Sequence, residues 1–324
     1  MTDGITQATD RAADVRAEVL RILSAENISR AQLAREIAIP AGSVGPWLSG
    51  SWPGGGTGEH VLAALEKWLA ARTVRAETAA SVPKPPDFRP TATARRIMDD
   101  LAFAQMIPDL AVIGGPAGVG KTSAVIAYQA ANPAVWVATL DPSARGVSGV
   151  LQEICAAIGI EEPNTAYRRA AIVRRAAGSR GLIVIDEAQH ATTQALDQVR
   201  AIHDRAKVGV ALVGNETVYA RLEGDGRKPA FAQLFSRVGA RHTPRIKADD
   251  IALMLDAWGV TEDPERRLAA EIARRPGHLR NLAKVMVAAG LLASGCGEPR
   301  GIRHIRAAYE RLACSGAGND GSAA

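Results

Sequence analysis

Residues 115–122, which read GPAGVGKT after the apolar segment 111–114, have the composition of a phosphate-binding loop. Glycines let successive backbone N–H groups turn towards an anion, and the N-terminus of a following helix adds a favourable dipole. Lys121 would reach the β- and γ-phosphates of ATP, and the Thr122 hydroxyl would ligate Mg²⁺. We therefore expect an ATP site formed by Gly115, Pro116, Ala117, Gly118, Val119, Gly120, Lys121, Thr122 and Ser123.

A second apolar segment, residues 181–185, is followed by two carboxylates, Asp186 and Glu187. At the end of a strand, Asp186 suits an outer-sphere position on Mg²⁺, and Glu187 can polarise an attacking water. A kinase acting on a small molecule would not need the second acid, so the pair favours hydrolysis. The alternative is a solvated Asp-Glu pair that closes a strand.

A third apolar segment, residues 208–214, is followed by Asn215. In P-loop ATPases with an additional strand between the other two, a polar residue here reaches the γ-phosphate or the water. A Gly-Asn pair is also a common turn. We predict a catalytic role for Asn215 because it follows the other two motifs in order.

The remaining sequence indicates how these residues are positioned. Short β-rich runs alternate with helical patterns, which indicates an α/β fold with a parallel sheet flanked by helices. Prolines between residues 81 and 87 indicate an extended linker. The predicted divisions are a helix-turn-helix-like helical domain at 1–72, a linker at 73–92, an ATPase core at 93–248, a helical lid at 249–313 and a disordered tail at 314–324.

The composition narrows the class of protein. Hydrophobic residues make up 47% and charged residues 23%, as in ordinary globular proteins. The first thirty residues contain no continuous apolar core of a signal peptide, and no stretch is apolar enough for a membrane span. Three cysteines lie at no metal-ligand spacing. We expect a protein of the bacterial cytoplasm or of a phage-infected cell.

The positive charge is concentrated in the middle of the chain. Residues 73–248 carry 22 basic and 16 acidic side chains, whereas residues 1–72 carry seven and eight. A polyanion would therefore be attracted mainly by the middle segment. Such a surplus also occurs on proteins that bind no nucleic acid.

The order of these motifs resembles that of AAA+ ATPases, over about residues 90–313. On this resemblance Asn215 corresponds to sensor 1, and Arg280, in Gly-His-Leu-Arg at 277–280, corresponds to sensor 2. Arg237, in Phe-Ser-Arg at 235–237, corresponds to the arginine finger that completes a neighbouring subunit's site, with Arg241 as its competitor. A solvated surface arginine is the alternative for each. A finger of this kind implies an oligomeric active form.

Within that superfamily the chain is similar to the Mu B family of transposon target-selecting ATPases. The similarity rests on the sequence Asp-Glu-Ala-Gln-His at 186–190, the small lid holding Arg280, and a helix-turn-helix-like segment joined by a proline-rich linker. It implies ATP-dependent filaments on double-stranded DNA, delivery of that DNA to a transposase, and stimulation of the transposase. The alternatives are an ATP-switched helix-turn-helix regulator and a replication helicase loader.

The N-terminal segment resembles a repressor-type helix-turn-helix but has few residues suited to reading bases. Its predicted core positions are Leu33, Ala34, Val44, Trp47 and Leu48. Pro46 is tolerable only if its helix begins near Ser43 or later. The face around residues 41–45 has hardly any Arg, Asn or Gln. An accessory contact, with DNA or with protein, is the expectation.

Contacts to DNA are expected from the ATPase core. The loop at residues 141–146 faces the channel in related oligomers, so Arg145 is the first candidate, and Arg205 and Lys207 are the second. Aromatic residues make up only 4% of the chain, which argues against stacking on single strands. Mostly non-specific contacts to a duplex backbone are therefore expected.

Overall fold

The helical N-terminal segment and the rest of the chain form two units, Met1–Val82 and Pro83–Ala324. The structure is a computed structural model that describes residues 2–52, 58–218 and 238–317. The first unit consists of helices α1 (Thr2–Ala25), α2 (Arg30–Glu36), α3 (Ala41–Leu48) and α4 (Glu59–Ser81).

All five predicted core residues of the first unit are buried, and they pack with apolar residues of α1 and α4. Helix α3 begins at Ala41 and contains Pro46, so the expectation of a start near Ser43 is wrong. Proline lacks the N–H that would bond to the carbonyl of Gly42, four residues earlier. Gly42 is exposed, so water can satisfy that carbonyl.

Helix α4 ends at Ser81, so the predicted start of the linker at residue 73 is wrong. Residues 73–81 contain no glycine or proline and three alanines, which favours continuation of the helix. Pro83 follows within two residues, and a proline prevents helical continuation. Residues 83–91 have no regular secondary structure and lead to Thr91, whose hydroxyl accepts the Ala94 N–H at 3.0 Å.

The second unit is built on a parallel sheet with strand order β2-β3-β4-β1-β5. Its strands are β1 (Leu110–Gly114), β2 (Val135–Thr139), β3 (Leu182–Asp186), β4 (Gly209–Gly214) and β5 (Val238–His242). Helix α5 (Ala92–Met106) precedes β1, and the described helices between the strands are α6 (Lys121–Ala131), α7 (Val147–Ile158), α8 (Thr165–Ala176) and α9 (Thr193–Ala206), with a short 3-10 helix at Ala188–His190.

Strands β1, β3 and β4 are buried along their whole length, because helices cover both faces of the sheet. Side chains alternate between the faces. In β3, Ile183 and Ile185 pack with α7, α8 and α9, whereas Leu182 and Val184 pack with α5 and α6. This burial fixes the register of the strands, and with it the positions of the residues that follow them.

The lid consists of helices α10 (Ala248–Ala257), α11 (Asp263–Arg274), α12 (His278–Gly295) and α13 (Ile302–Ala317). It has its own apolar cluster, which includes Leu255, Ile272 and Met286. The buried Asp250 carboxylate joins the lid to α5 by accepting the Thr93 N–H at 3.1 Å.

Helix α13 continues to Ala317, beyond the predicted start of the tail at residue 314, and residues 318–324 lie outside the described residues. Among the described residues, no helix combines the length and hydrophobicity needed to cross a membrane.

Candidate nucleotide-binding site

The predicted phosphate-binding loop connects β1 to α6. Gly118 and Gly120 have φ values of +84° and +95°, in the left-handed region that favours glycine. Gly120 is the N-cap of α6, which begins at Lys121. The loop therefore ends on a helix N-terminus, as an anion site requires.

The Lys121 side chain contacts the start of the loop that precedes it. Its Nζ donates to the carbonyl oxygens of Gly115 and Pro116, each at 2.8 Å. Burial lowers the pKa of Lys121, and the nearby carboxylates of Glu187 and Asp186 oppose that shift. The ammonium group is thus placed at the loop and between negative charges, where a phosphate could replace part of its hydrogen bonding.

Thr122 and Asp186, 64 residues apart in sequence, meet at the carboxyl end of β3. The Thr122 hydroxyl donates to Asp186 Oδ2 at 2.9 Å. Asp186 is 2% exposed, and burial raises the pKa of its carboxyl group, against the effects of the Thr122 hydroxyl and the Glu187 N–H. A buried carboxylate next to a hydroxyl presents the oxygen ligands that Mg²⁺ prefers. The residues predicted to hold Mg²⁺ therefore fit that ion.

Strand β4 lies between β3 and β1, so three motifs meet at one edge of the sheet. Gly114 pairs with Gly214, which places Asn215 beside the start of the phosphate loop. The Asn215 Oδ1 atom accepts from the Thr217 N–H at 3.0 Å and from the Thr217 hydroxyl at 2.6 Å. Thr217 thus fixes the side-chain amide of Asn215, a contact that the sequence did not reveal.

Gln189 connects two of the predicted catalytic residues. Its Nε2 donates to Glu187 Oε2, and its Oε1 accepts the Asn215 N–H at 3.2 Å. The sequence marks Gln189 only as part of the family resemblance and does not predict its place in the site. Its position two residues after Glu187 in a DEAQH segment was the available signal.

A cavity of about 570 Å³ extends from the phosphate loop towards the lid. Glu187, Asn215 and Arg280 line it beside the loop. Its further lining comes from the segment before α5 and from the lid, including Phe88, Arg89, Met254, Leu279 and Ala283. Leu279 belongs to the motif at 277–280, whereas Phe88, Arg89, Met254 and Ala283 match none of the motifs, so the sequence does not predict them.

The lid touches the phosphate loop at the start of α12. The Leu279 N–H donates to the Gly118 carbonyl at 3.1 Å. A Cβ atom on Gly118 would lie 2.0 Å from the Gly277 carbonyl oxygen. Arg280, one residue after Leu279, lies on the wall of the cavity.

Comparison with known proteins agrees with this geometry. Residues 236–312 match the model of the Mu B transposition protein, C terminal, and residues 108–222 match the AAA domain. The chain is 32% identical to the ATP-dependent target DNA activator B of Escherichia phage Mu over 306 residues, 93% of this chain and 95% of that protein. The chain belongs to the Mu B transposition protein family.

This chain is also similar to the Mu-like prophage FluMu DNA transposition protein B of Haemophilus influenzae. The two are 35% identical over 272 residues, 81% of this chain and 91% of that protein. The crystal structure of Cdc6p from Pyrobaculum aerophilum matches with a TM-score of 0.50 at 17% identity, over 67% of this chain and 65% of that one. That match concerns the fold alone. The predicted AAA+ fold is confirmed, and the chain is an AAA+ ATPase.

The candidates for DNA contact lie at opposite ends of the parallel strands. Arg145 is exposed after the carboxyl end of β2, on the edge that holds the nucleotide site. Arg205 and Lys207 are exposed before the amino end of β4. A strand of this length separates the edges by roughly 20 Å.

Of the two candidates for the arginine finger, the structure describes only Arg241. Arg237 lies outside the described residues, so its position in the site is not seen. Arg241 is exposed on β5, an edge strand of the sheet. An exposed edge position is compatible with contact to another subunit.

Proposed function

We propose that this protein is an ATP-dependent activator of target DNA in transposition. The proposal depends on one observation of the site: the Thr122 hydroxyl donates to Asp186 at 2.9 Å, beside Glu187. The chain that contains this site is related over 93% of its length to a target DNA activator. The motif order alone left a regulator and a helicase loader open. The relatives' names favour transposition over both.

Each residue of the site has a proposed part in ATP binding or hydrolysis. Lys121 and the loop N–H groups would bind the phosphates, and Thr122 and Asp186 would hold Mg²⁺, which neutralises phosphate charge. Glu187 would accept a proton from the attacking water, and Asn215 would orient that water. Arg280 would approach the γ-phosphate from the lid.

The far end of the cavity suits the base of the nucleotide. Phe88 and Met254 line the cavity outside the phosphate loop and offer apolar surface, and Arg89 lines it as well. A planar aromatic base gains from contact with such side chains. The segment before α5 and the lid would therefore both contact ATP, and ATP binding would stabilise their present arrangement.

Self-association is part of the proposal. Arg237, or Arg241 in its place, would complete the site of a neighbouring subunit, so hydrolysis would require at least two subunits in contact. In each subunit residues 93–248 would form the ATPase core and residues 249–317 the lid, and the unit Met1–Val82 would be an accessory domain that contacts DNA or protein.

Duplex DNA is the proposed polyanion. The surplus of six positive charges lies in residues 73–248. We place the contact at the edge that carries Arg145, because that loop is hydrogen-bonded to the segment after Glu187: the Thr192 N–H donates to the Arg145 carbonyl at 2.8 Å. Contacts to phosphates would make binding largely independent of sequence and strongly dependent on salt.

Electron microscopy of the purified protein with duplex DNA tests the proposal directly. We expect filaments along the DNA with ATP and Mg²⁺, and none without nucleotide. Lys121→Ala should form none under either condition, whereas Lys284→Ala, at an exposed position of the lid, should behave as the wild type. Isolated particles at saturating protein and low salt, with and without ATP, would contradict the polymer.

A further inference from the structure

Residues 83–91 precede α5, and the first of them packs against the lid. A Cβ atom on Gly290, a buried residue of α12, would lie 2.2 Å from Cγ of Pro83. Glycine inside a helix is less favourable than alanine, so its presence here calls for a packing reason. The Pro83 ring supplies that reason, because it occupies the space that a side chain at position 290 would fill.

The same segment is joined to the lid again just beyond its other end. The Asp250 carboxylate of α10 is 1% exposed, and it accepts the Thr93 N–H at 3.1 Å, the Thr93 hydroxyl at 2.5 Å and the Lys247 N–H at 2.9 Å. A carboxylate that is buried away from water depends on such donors. Thr93 lies two residues after Thr91, which lines the nucleotide cavity.

The residues between these two contacts form part of the cavity wall. Phe88 lines the cavity from the segment. From the lid it is lined by Met254, four residues after Asp250, and by Ala283, seven residues before Gly290. These spacings are about one and two helical turns. Each lid residue of the wall therefore shares a helix face with a residue that holds the segment.

The segment is stiff, because four of its residues are prolines: Pro83, Pro85, Pro86 and Pro90. A proline-rich chain is extended, and its direction persists over several residues. Only five residues separate Pro83 from Phe88. A displacement of Pro83 is therefore transmitted to Phe88 instead of being absorbed between them.

We propose that Gly290 and Asp250 are positioning residues that hold residues 83–91 against the lid and thereby set the affinity for the base of ATP. This inference rests on the proposed function, in which the cavity outside the phosphate loop takes the base. Both residues act through the wall residues Phe88 and Met254. Neither contact involves the phosphate loop, so the affinity for the phosphates alone does not depend on them.

Isothermal titration calorimetry with Mg-ADP and Mg-pyrophosphate tests the inference without turnover. Both ligands bring a diphosphate to the loop, but only ADP has a base. Gly290→Ala should bind ADP about tenfold more weakly, the effect of losing part of the stacking on a base, and should bind pyrophosphate as the wild type does. Gly295→Ala, at the end of α12 with open space around its Cβ position, is the matched control and should keep both affinities.

A second substitution shows whether the loss comes from Pro83. Alanine favours a helix more than glycine does, so Gly290→Ala should not weaken α12 itself. Adding Pro83→Ala removes the Cγ atom that would overlap the new side chain. The double variant should therefore bind ADP more tightly than Gly290→Ala alone, and an affinity no better than that of the single variant would contradict the contact.

Thr93→Val and Thr93→Ser test the contact with Asp250. Valine has nearly the shape of threonine but leaves the buried carboxylate without the hydroxyl donor, whereas serine keeps that donor. We expect Thr93→Val to raise KM for ATP about tenfold with kcat unchanged, because a weaker hold on the base leaves the bound phosphates in place. Thr93→Ser should keep the wild-type KM.

The outcomes separate this inference from the function on which it rests. A wild type that binds neither ligand contradicts the phosphate loop, and one that binds ADP no more tightly than pyrophosphate contradicts the place of the base. If the wild type prefers ADP, an unchanged ADP affinity in Gly290→Ala, or equal losses for ADP and pyrophosphate, would overturn the role of Gly290. Equal KM values in the two Thr93 variants would overturn the role of Asp250.

Discussion

The backbone N–H of Leu279 donates to the carbonyl of Gly118 at 3.1 Å, so the lid is bonded directly to the phosphate loop. Gly118 has φ +84°, and a Cβ atom on it would lie 2.0 Å from the Gly277 carbonyl oxygen. Both the backbone conformation and the close approach of α12 require glycine here. Phosphate binding at the loop and the position of Arg280 in the lid are therefore coupled.

Gly118→Ala should separate the lid from the loop. A left-handed alanine costs about 1 kcal/mol, and the overlap with Gly277 adds about 1–3 kcal/mol. We expect a lower free energy of unfolding by at least about 2 kcal/mol and a large loss of ATP affinity. Chemical denaturation and titration with a fluorescent ATP analogue measure the two effects.

Gly159→Ala is the matched control, because Gly159 has φ +75° and open space around its Cβ position. It should cost about 1 kcal/mol of stability and leave ATP binding intact. Equal losses in the two variants would show that the contact between Gly118 and Gly277 has no energetic role.

Glu187→Gln should bind ATP and fail to hydrolyse it. The carboxamide has almost the same shape but cannot accept the proton of the attacking water, so kcat should fall by about 10²–10⁴. Protein bound to duplex DNA with ATP should dissociate more slowly than the wild type. Phosphate release and DNA dissociation after dilution are the measurements. Glu161→Gln, at an exposed position before α8, should be unaffected; normal turnover by Glu187→Gln would assign the base to another group.

Asp186→Asn should stabilise the nucleotide-free protein while abolishing Mg-dependent hydrolysis. Burial raises the pKa of Asp186, so its ionised form lowers the stability of the folded state. We expect a gain of about 1 kcal/mol in the free energy of unfolding at neutral pH.

The pH dependence of that gain follows from the direction of the shift. A carboxyl group with a raised folded-state pKa contributes stability at low pH and loses that contribution as pH rises through its folded pKa. The difference between Asp186→Asn and the wild type should therefore shrink as pH falls below neutral. Urea denaturation at several pH values measures the difference in free energy of unfolding between the two proteins. A difference that does not change with pH would show that ionisation of Asp186 is not its cause.

Arg145→Gln should weaken DNA binding and reduce the dependence of log affinity on log salt by about one phosphate contact. Arg205→Gln and Lys207→Gln lie at the opposite edge of the sheet and should change neither quantity. Fluorescence anisotropy with duplex DNA between low and moderate salt gives both values. If instead Arg205→Gln and Lys207→Gln weakened binding and Arg145→Gln did not, DNA would contact the amino ends of the strands.

The motifs were readable from the sequence because each depends on local chemistry. The loop at residues 115–122 must lie between a strand and a helix, and the acidic pair must end a buried strand. The five core residues of the N-terminal unit were also predicted, from helical spacing. Helix α4 was predicted too short, because residues 73–81 favour helix and the first residue that prevents its continuation is Pro83.

By itself, the sequence determined which residues form the nucleotide site and the order in which they occur along the chain. The tertiary structure decided which of them meet: β4 lies between β1 and β3, so Asn215 and Glu187 come to the loop through strand pairing rather than through proximity in sequence. It also decided that Gln189 joins Glu187 to Asn215, that the lid bonds to Gly118, and that Arg145 and Lys207 lie apart. The physical reason is that the burial of side chains fixes the register of the paired strands and the direction of the side chains that follow them. The order of residues along the chain specifies neither.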